Sequence, residues 1–157
     1  MIYPIVAYGD PVLKRKAKEI SADYEGLETL ISDMWETMYN AEGVGLAAPQ
    51  IGKSIRLFVI DGSSFAKDED ATDEEREVLK TFKKVFINAT ILEETGESWS
   101  FTEGCLSIPD IREDVVRKDE LTIRYQDESM QWHTENYFGL PARIIQHEYD
   151  HIEGILF

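Results

Sequence analysis

The stretch QHEYDH, residues 146–151, decides how this chain is read. It holds two of the three histidines in the sequence, His147 and His151, four residues apart. On a helix that spacing puts both imidazoles on one face, one turn apart. Both can then reach a single ion about 2 Å from each nitrogen. Glu148 lies one residue further round, too displaced to be a comfortable ligand. It is placed instead to accept a proton from water held at the ion, which is the logic of H-E-x-x-H in metal-dependent hydrolases. The bland alternative is a chance pattern on an acidic helix.

The flanks support the helix. GLPARIIQHEYDH has Pro141 where a first turn tolerates a missing N–H. Gly154 offers a stop. A catalytic metal takes three protein ligands and keeps one position open. Only six residues follow His151, and Glu153 is too close on the same helix to close a site. The third ligand is therefore sought upstream. Cys105, the single cysteine, is the candidate, in FTEGCLSIPD. Its competing reading is a small buried hydrophobe. A thiolate on a divalent ion is deprotonated outright, so Cys105, His147 and His151 would make an S/N/N site. Gly104 lets the backbone there pass close to a neighbour.

Working outward, LETLISDMWETMYN (27–40) has Leu27, Leu30, Ile31, Met34, Trp35 and Met38 at helical spacing, with Asp33, Glu36 and Thr37 opposite. It predicts an amphipathic helix packed on the core. GVGLAAPQIG is too punctuated by Gly and Pro to continue it. IRLFVID predicts a buried strand and VFINATILEETGES a second. DVVRKDELTIRYQDESMQWHTENYFG predicts a strand and then a hairpin, in which LTIRYQ and QWHTENY flank the turn DES. His133 falls in the last of these with no acidic partner expected nearby, and is read as a surface histidine. The acidic stretch near 62–78 is read as an exposed loop, with a short helix over Glu74 to Lys84. The fold class is α+β: mostly antiparallel sheets packed around a central helix that carries H-E-x-x-H.

The bulk numbers suit one domain over 1–157. Hydrophobic residues make up 43% and charged residues 30%, an ordinary globular balance. The net charge of −15, from 31 acidic and 16 basic residues, disfavours sequence-independent binding to nucleic acid or to anionic membrane. No apolar run approaches the roughly 20 residues of a membrane span, and the start lacks a leader pattern, so a cytoplasmic location is expected. One cysteine permits no intrachain disulfide.

Three motifs, in order, resemble those of the peptide deformylases: GVGLAAPQ (43–50), EGCLS (103–107) and QHEYDH (146–151). The likeness extends from IVAYGDP at Ile5 to EGILF at the end. It implies a hydrolase that removes the N-formyl group from formyl-methionine on newly made polypeptides and releases formate. It implies Cys105, His147 and His151 as metal ligands and Glu148 as general base and later acid. The N–H of Leu106 and the amide of Gln50 would steady the oxyanion, and Gly45 would contact substrate backbone. The implied metal is Fe²⁺, with Ni²⁺, Co²⁺ or Zn²⁺ able to substitute, a choice that Cys and His donors do not settle. Formyl-methionyl nascent peptides are the implied partner, with transient contact to the ribosome.

Val44, Leu140 and Ile144 lie beside the motifs and are candidates for an apolar methionine slot. Arg112 is either a rim contact or solvated surface. Gln50 could also be a loop-stabilising amide, and Gly43 and Gly45 turn glycines. Two departures stand out. The family usually continues beyond the third motif, so this chain is either cut or a short member. The acidic stretch around Lys67 to Glu77 looks like an insertion between strands, read as a solvated loop with a lid over the peptide cleft as the alternative. Two alternatives compete: a zincin-like metallopeptidase, which would need a downstream ligand, and a non-catalytic metal-binding module, which would need four protein ligands.

Overall fold

The computed structural model describes residues 1–156, apart from the side chains of residues 109 and 110. Five strands pair antiparallel in chain order: β1 (Gly45–Ala47), β2 (Leu57–Asp61), β3 (Lys83–Cys105), β4 (Ile108–Gln126) and β5 (Trp132–Phe138). Three α-helices accompany them: α1 (Leu27–Asn40), α2 (Asp73–Leu79) and α3 (Gly139–Ile152). The class is α+β as expected, with one continuous sheet where several were anticipated.

β2 explains the two-layer core. Its apolar run LFVI is buried on both faces, which suits a strand covered on each side. Phe58 and Ile60 join a cluster with Phe86, Tyr125, Leu140, Ile144 and Ile145 on the α3 side. Leu57 and Val59 alternate to the other face and meet Leu30, Ile31, Met34 and Met38 of α1. Phe86 lies between Phe58, on which it stacks at 4.8 Å between ring centroids, and Tyr125, whose tilted ring is 4.4 Å away.

α1 spans the fourteen residues predicted for it. Asp33 and Thr37, expected on its outer side, are buried as well. The N-terminal segment crosses them: Tyr3 N–H donates to Thr37 Oγ1 at 2.9 Å, and that hydroxyl donates to Asp33 O at 2.8 Å. A helix covered on two sides cannot be read from a single apolar stripe.

The largest departure is the β3–β4 hairpin. The sequence predicts a strand over VFINATILEETGES, which ends at Ser98. Instead the strand runs on to Cys105. Gly96, at φ 83°, sits in a register shift between Thr95 and Ser98. The glycine therefore makes a bulge. The turn falls later, at Leu106–Ser107, where Cys105 pairs with Ile108. The predicted β4–β5 hairpin is present, with strands ending at Gln126 and resuming at Trp132.

The acidic stretch has more structure at its start than expected, and the short helix expected after it is present. It forms a 3-10 turn over Ser63–Lys67, then α2. A capping box opens α2: Thr72 Oγ1 accepts from Glu75 N, and Glu75 Oε1 accepts from Thr72 N. The helix stops before the predicted Lys84 because buried Phe82 returns to the core and Lys83 starts β3.

α3 packs against β1, β2, β4 and β5. Its N-cap residue, Phe138, supplies no side-chain acceptor. Glu75 supplies one from α2: its Oε2 accepts the Leu140 N–H at 2.7 Å. The helix ends as expected, with Gly154 at φ 83° and its N–H on His151 O at 3.2 Å. No helix among the described residues is long and apolar enough to cross a membrane.

Candidate metal centre and active site

Cys105 closes β3 one residue before the hairpin turn, and α3 runs beneath that turn. The fold thus brings a thiol from the sheet to two imidazoles on a helix. Cys105 Sγ lies 3.6 Å from His151 Nε2, and the two Nε2 atoms are 3.3 Å apart. The three donor atoms lie within 4.8 Å of one another, all on buried residues. The imidazole planes stand at 88° to each other. Two nitrogens and a soft sulfur converging in a buried place match what Fe²⁺, Zn²⁺, Ni²⁺ or Co²⁺ accepts. The thiol that lies near the two imidazoles comes from upstream in the chain, where the spacing argument sought a third donor.

A charged network that the sequence reading missed holds this cluster. Glu103, 6% exposed, accepts from His147 Nδ1 at 2.8 Å. It also accepts from Arg117 Nε at 2.9 Å and Nη2 at 3.0 Å, and from Arg143 Nη1. Arg117 reaches on to Asp150 at 2.6 Å, and Arg143 to the carbonyls of Trp99 and Val115. Burial alone would raise the Glu103 carboxyl. The hydrogen bonds from His147 and Arg117 override it and hold the carboxyl down at about 2. The ionised carboxylate fixes the ring orientation of His147 and points Nε2 toward Cys105. Two signals could have found it. Glu103 is two residues before Cys105 and so shares its strand face. Arg143 is four residues before His147 on the helix.

Glu148 is buried and faces the same cleft. Burial pushes its carboxyl up to about 7, against the pull of His147. Its Oε1 has no hydrogen-bond partner among the described residues. Gly45 makes the room for it. A Cβ at Gly45 would lie 2.6 Å from Glu148 Oε2 and 2.7 Å from Cδ. This glycine is required by that close approach and not by a turn, since it opens β1 and pairs with Ile60.

Gln50, 2% exposed, is a loop-bracing amide that also faces the donor cluster. Its Oε1 accepts from Ala47 N at 3.0 Å, which braces the loop. Its Nε2 points to Cys105 Sγ at 3.6 Å and Ser107 Oγ at 3.4 Å, beside the donor cluster. Leu106 sits in the hairpin turn over the same cleft. That cleft measures about 610 Å³, and Val44, Leu140 and Ile144 line it with Phe65 and Phe101.

Arg112 is exposed at the rim. It also explains Gly104, since a Cβ there would lie 3.3 Å from Arg112 Nη1. His133 stays away from the metal cluster as read, but it has the acidic partner the sequence reading denied it. Its Nε2 is 2.7 Å from Asp127 Oδ2, brought close by the β4–β5 turn. Glu153 pairs with Arg56 at 2.9 Å and takes no part in the cluster.

The sequence model of the polypeptide deformylase family matches residues 2–157. A peptide deformylase of Christiangramia forsetii is 64% identical over all of this chain, which covers 80% of that protein. One from Flavobacterium psychrophilum is 61% identical, again over the whole chain and 81% of that protein. Among solved structures, peptide deformylase from Thermotoga maritima superposes with a TM-score of 0.84 at 37% identity, covering 99% of this chain and 95% of that one. The Thermus thermophilus enzyme gives 0.83 at 44% identity, covering 100% and 84%. These matches decide for the amide hydrolase over the zincin-like peptidase and the non-catalytic module.

Proposed function

The chain belongs to the polypeptide deformylase family, and from that premise we propose which residues do the work. The family removes the formyl group from the N-terminal formyl-methionine of new polypeptides, and is metal-dependent. In this chain Cys105, His147 and His151 hold the ion. The observation that carries the assignment is the convergence of their three donor atoms beside buried Glu148. Fe²⁺ is the native ion, with Ni²⁺, Co²⁺ or Zn²⁺ able to take its place.

When bound, the ion supplies Lewis-acid activation of the attacking water and of the formyl carbonyl. Glu148 takes a proton from that water and later gives it to the departing amine. Burial raises its carboxyl, which suits a group that both takes and returns a proton. The Gln50 amide and the Leu106 N–H stabilise the negative charge that develops on the formyl oxygen. Gly45 leaves the substrate backbone room beside Glu148. Val44, Leu140 and Ile144 take the methionine side chain. Residues 1–157 act as a single catalytic domain, on formyl-methionyl chains in the cytoplasm as they leave the ribosome in transient contact with it.

The test is formate release from a formyl-methionyl peptide by protein loaded anaerobically with Fe²⁺, and in parallel with Ni²⁺. Glu148→Gln should keep one metal per chain and lose the activity. Wild-type activity in Glu148→Gln would sink the assignment of the base. Unchanged metal content in Cys105→Ala would sink the ligand set.

A further inference from the structure

We propose that Phe65 is a specificity-determining wall of the methionine slot, built into the site by the acidic segment between β2 and β3. This rests on the assignment of Val44, Leu140 and Ile144 to that slot. The acidic stretch, read from sequence as a solvated loop, is fastened to the slot at both ends.

At the first end the chain leaves β2 through Gly62, whose N–H donates to Phe82 O at 2.8 Å. A Cβ at Gly62 would lie 3.1 Å from Phe82, 3.2 Å from Leu79 and 3.4 Å from Ile144 Cδ1. The backbone thus runs in close contact with one slot residue. The 3-10 turn then begins, with Phe65 N–H on Gly62 O at 3.0 Å. That turn aims Phe65 inward. The ring is half-buried, packs against the cluster containing Leu140 and Ile144, and lines the cleft.

At the second end, Glu75 is 8% exposed and accepts the Leu140 N–H. A carboxylate at the start of α3 satisfies an otherwise orphaned donor and complements the helix dipole. Leu140 is therefore pinned by the same segment whose Phe65 lines the same cleft. A merely solvated loop needs neither a buried carboxylate on a neighbouring helix nor an aromatic ring in a catalytic cleft. The acidic residues around these anchors, Asp68, Glu69, Asp70, Asp73 and Glu74, keep the outer side of the segment in water.

A flexible methionine side chain and bulkier ones differ in the space they need. Changing the wall should therefore change the ranking of substrates. The experiment measures kcat/KM for formate release by the full metal-loaded chain on formyl-Met, formyl-Phe and formyl-Ala tripeptides. Wild type, Phe65→Ala, Phe65→Trp and Ile144→Ala are compared, with melting temperatures to confirm folding. Phe65→Ala should raise the Phe/Met ratio about tenfold, the scale of a few methylenes in an apolar pocket. Phe65→Trp should raise the Ala/Met ratio instead. Phe65→Trp leaves no cavity, so it stays readable should Phe65→Ala unfold. Ratios within twofold of wild type in the folded Phe65 variants, with a shift in Ile144→Ala, would overturn the role of Phe65 and leave the slot standing. No shift in any variant would overturn the slot assignment and the role of Phe65 with it.

Discussion

Replacing Glu103 by glutamine is the most informative single perturbation. The change is isosteric and leaves every metal-donor atom in place. Glu103 accepts four hydrogen bonds, two on each oxygen: His147 Nδ1 and Arg117 Nη2 on Oε1, Arg117 Nε and Arg143 Nη1 on Oε2. Whichever way the amide turns, one side keeps an oxygen and the other presents N–H groups to N–H donors. The carboxylate charge facing Arg117 and Arg143, both buried, is lost. Breaking a buried pair by removing one partner typically costs about 3–5 kcal/mol. Arg117 retains Asp150, and Arg143 retains two carbonyls, which favours the lower end. About 3 kcal/mol, at roughly 2–4 °C per kcal/mol for a chain of this size, lowers the melting temperature by roughly 6–12 °C. Loosening the partner of a ligating histidine should also weaken metal affinity by about 10- to 100-fold. Scanning calorimetry on the metal-free protein and chelator competition on the loaded protein read the two effects separately. A melting temperature within about 2 °C of wild type, together with unchanged affinity, would refute the reasoning.

Gly45→Ala puts a methyl against the Glu148 carboxylate and should lower kcat/KM by at least about 100-fold, the order of effect of displacing a catalytic group by 1 Å; normal activity would show that Glu148 can move aside freely. Phe86→Ala opens a cavity between Phe58 and Tyr125 and should destabilise by about 3–5 kcal/mol in denaturant titration. Glu75→Ala removes the acceptor for the Leu140 N–H and should cost about 1–2 kcal/mol, with Glu75→Gln close to wild type because an amide oxygen can still accept; equal losses in both would point to charge and not to the hydrogen bond. Chelation should abolish formate release and lower the melting temperature, with Fe²⁺ or Ni²⁺ restoring both, since an ion that binds only the folded chain stabilises it.

What the sequence made legible was local. α1 shows its period over the same residues that form it, and β2 shows an unbroken apolar run. His147 and His151 are readable as a pair because the helix itself sets their spacing. Cys105 follows because a third donor is needed and the sequence offers one thiol. What stayed hidden depends on distant chain. Gly96 lies inside a predicted strand, and only its pairing with the Glu120 side of the hairpin shows that it makes a bulge there. Glu103, Arg117 and Arg143 look like ordinary surface charges until β3, β4 and α3 enclose them together. Phe65 sits among small and acidic residues whose composition announces solvent. Nothing local tells that its ring turns inward. His133 and Asp127 are six residues apart, and only the geometry of their hairpin joins them.

The order of the ligands along the chain has a consequence for synthesis. Cys105 sits at a hairpin tip, where β3 and β4 can zip from Leu106–Ser107 through contacts that begin between near neighbours. Such local pairing forms early. His147 and His151 arrive more than forty residues later, on the helix that covers the sheet. A protein made from its N-terminus at about 5–20 residues per second thus holds half a site for seconds, with the thiol waiting for its imidazoles. During synthesis the three donor atoms can therefore meet only after His151 has emerged, so the cluster is among the last features of the chain to assemble.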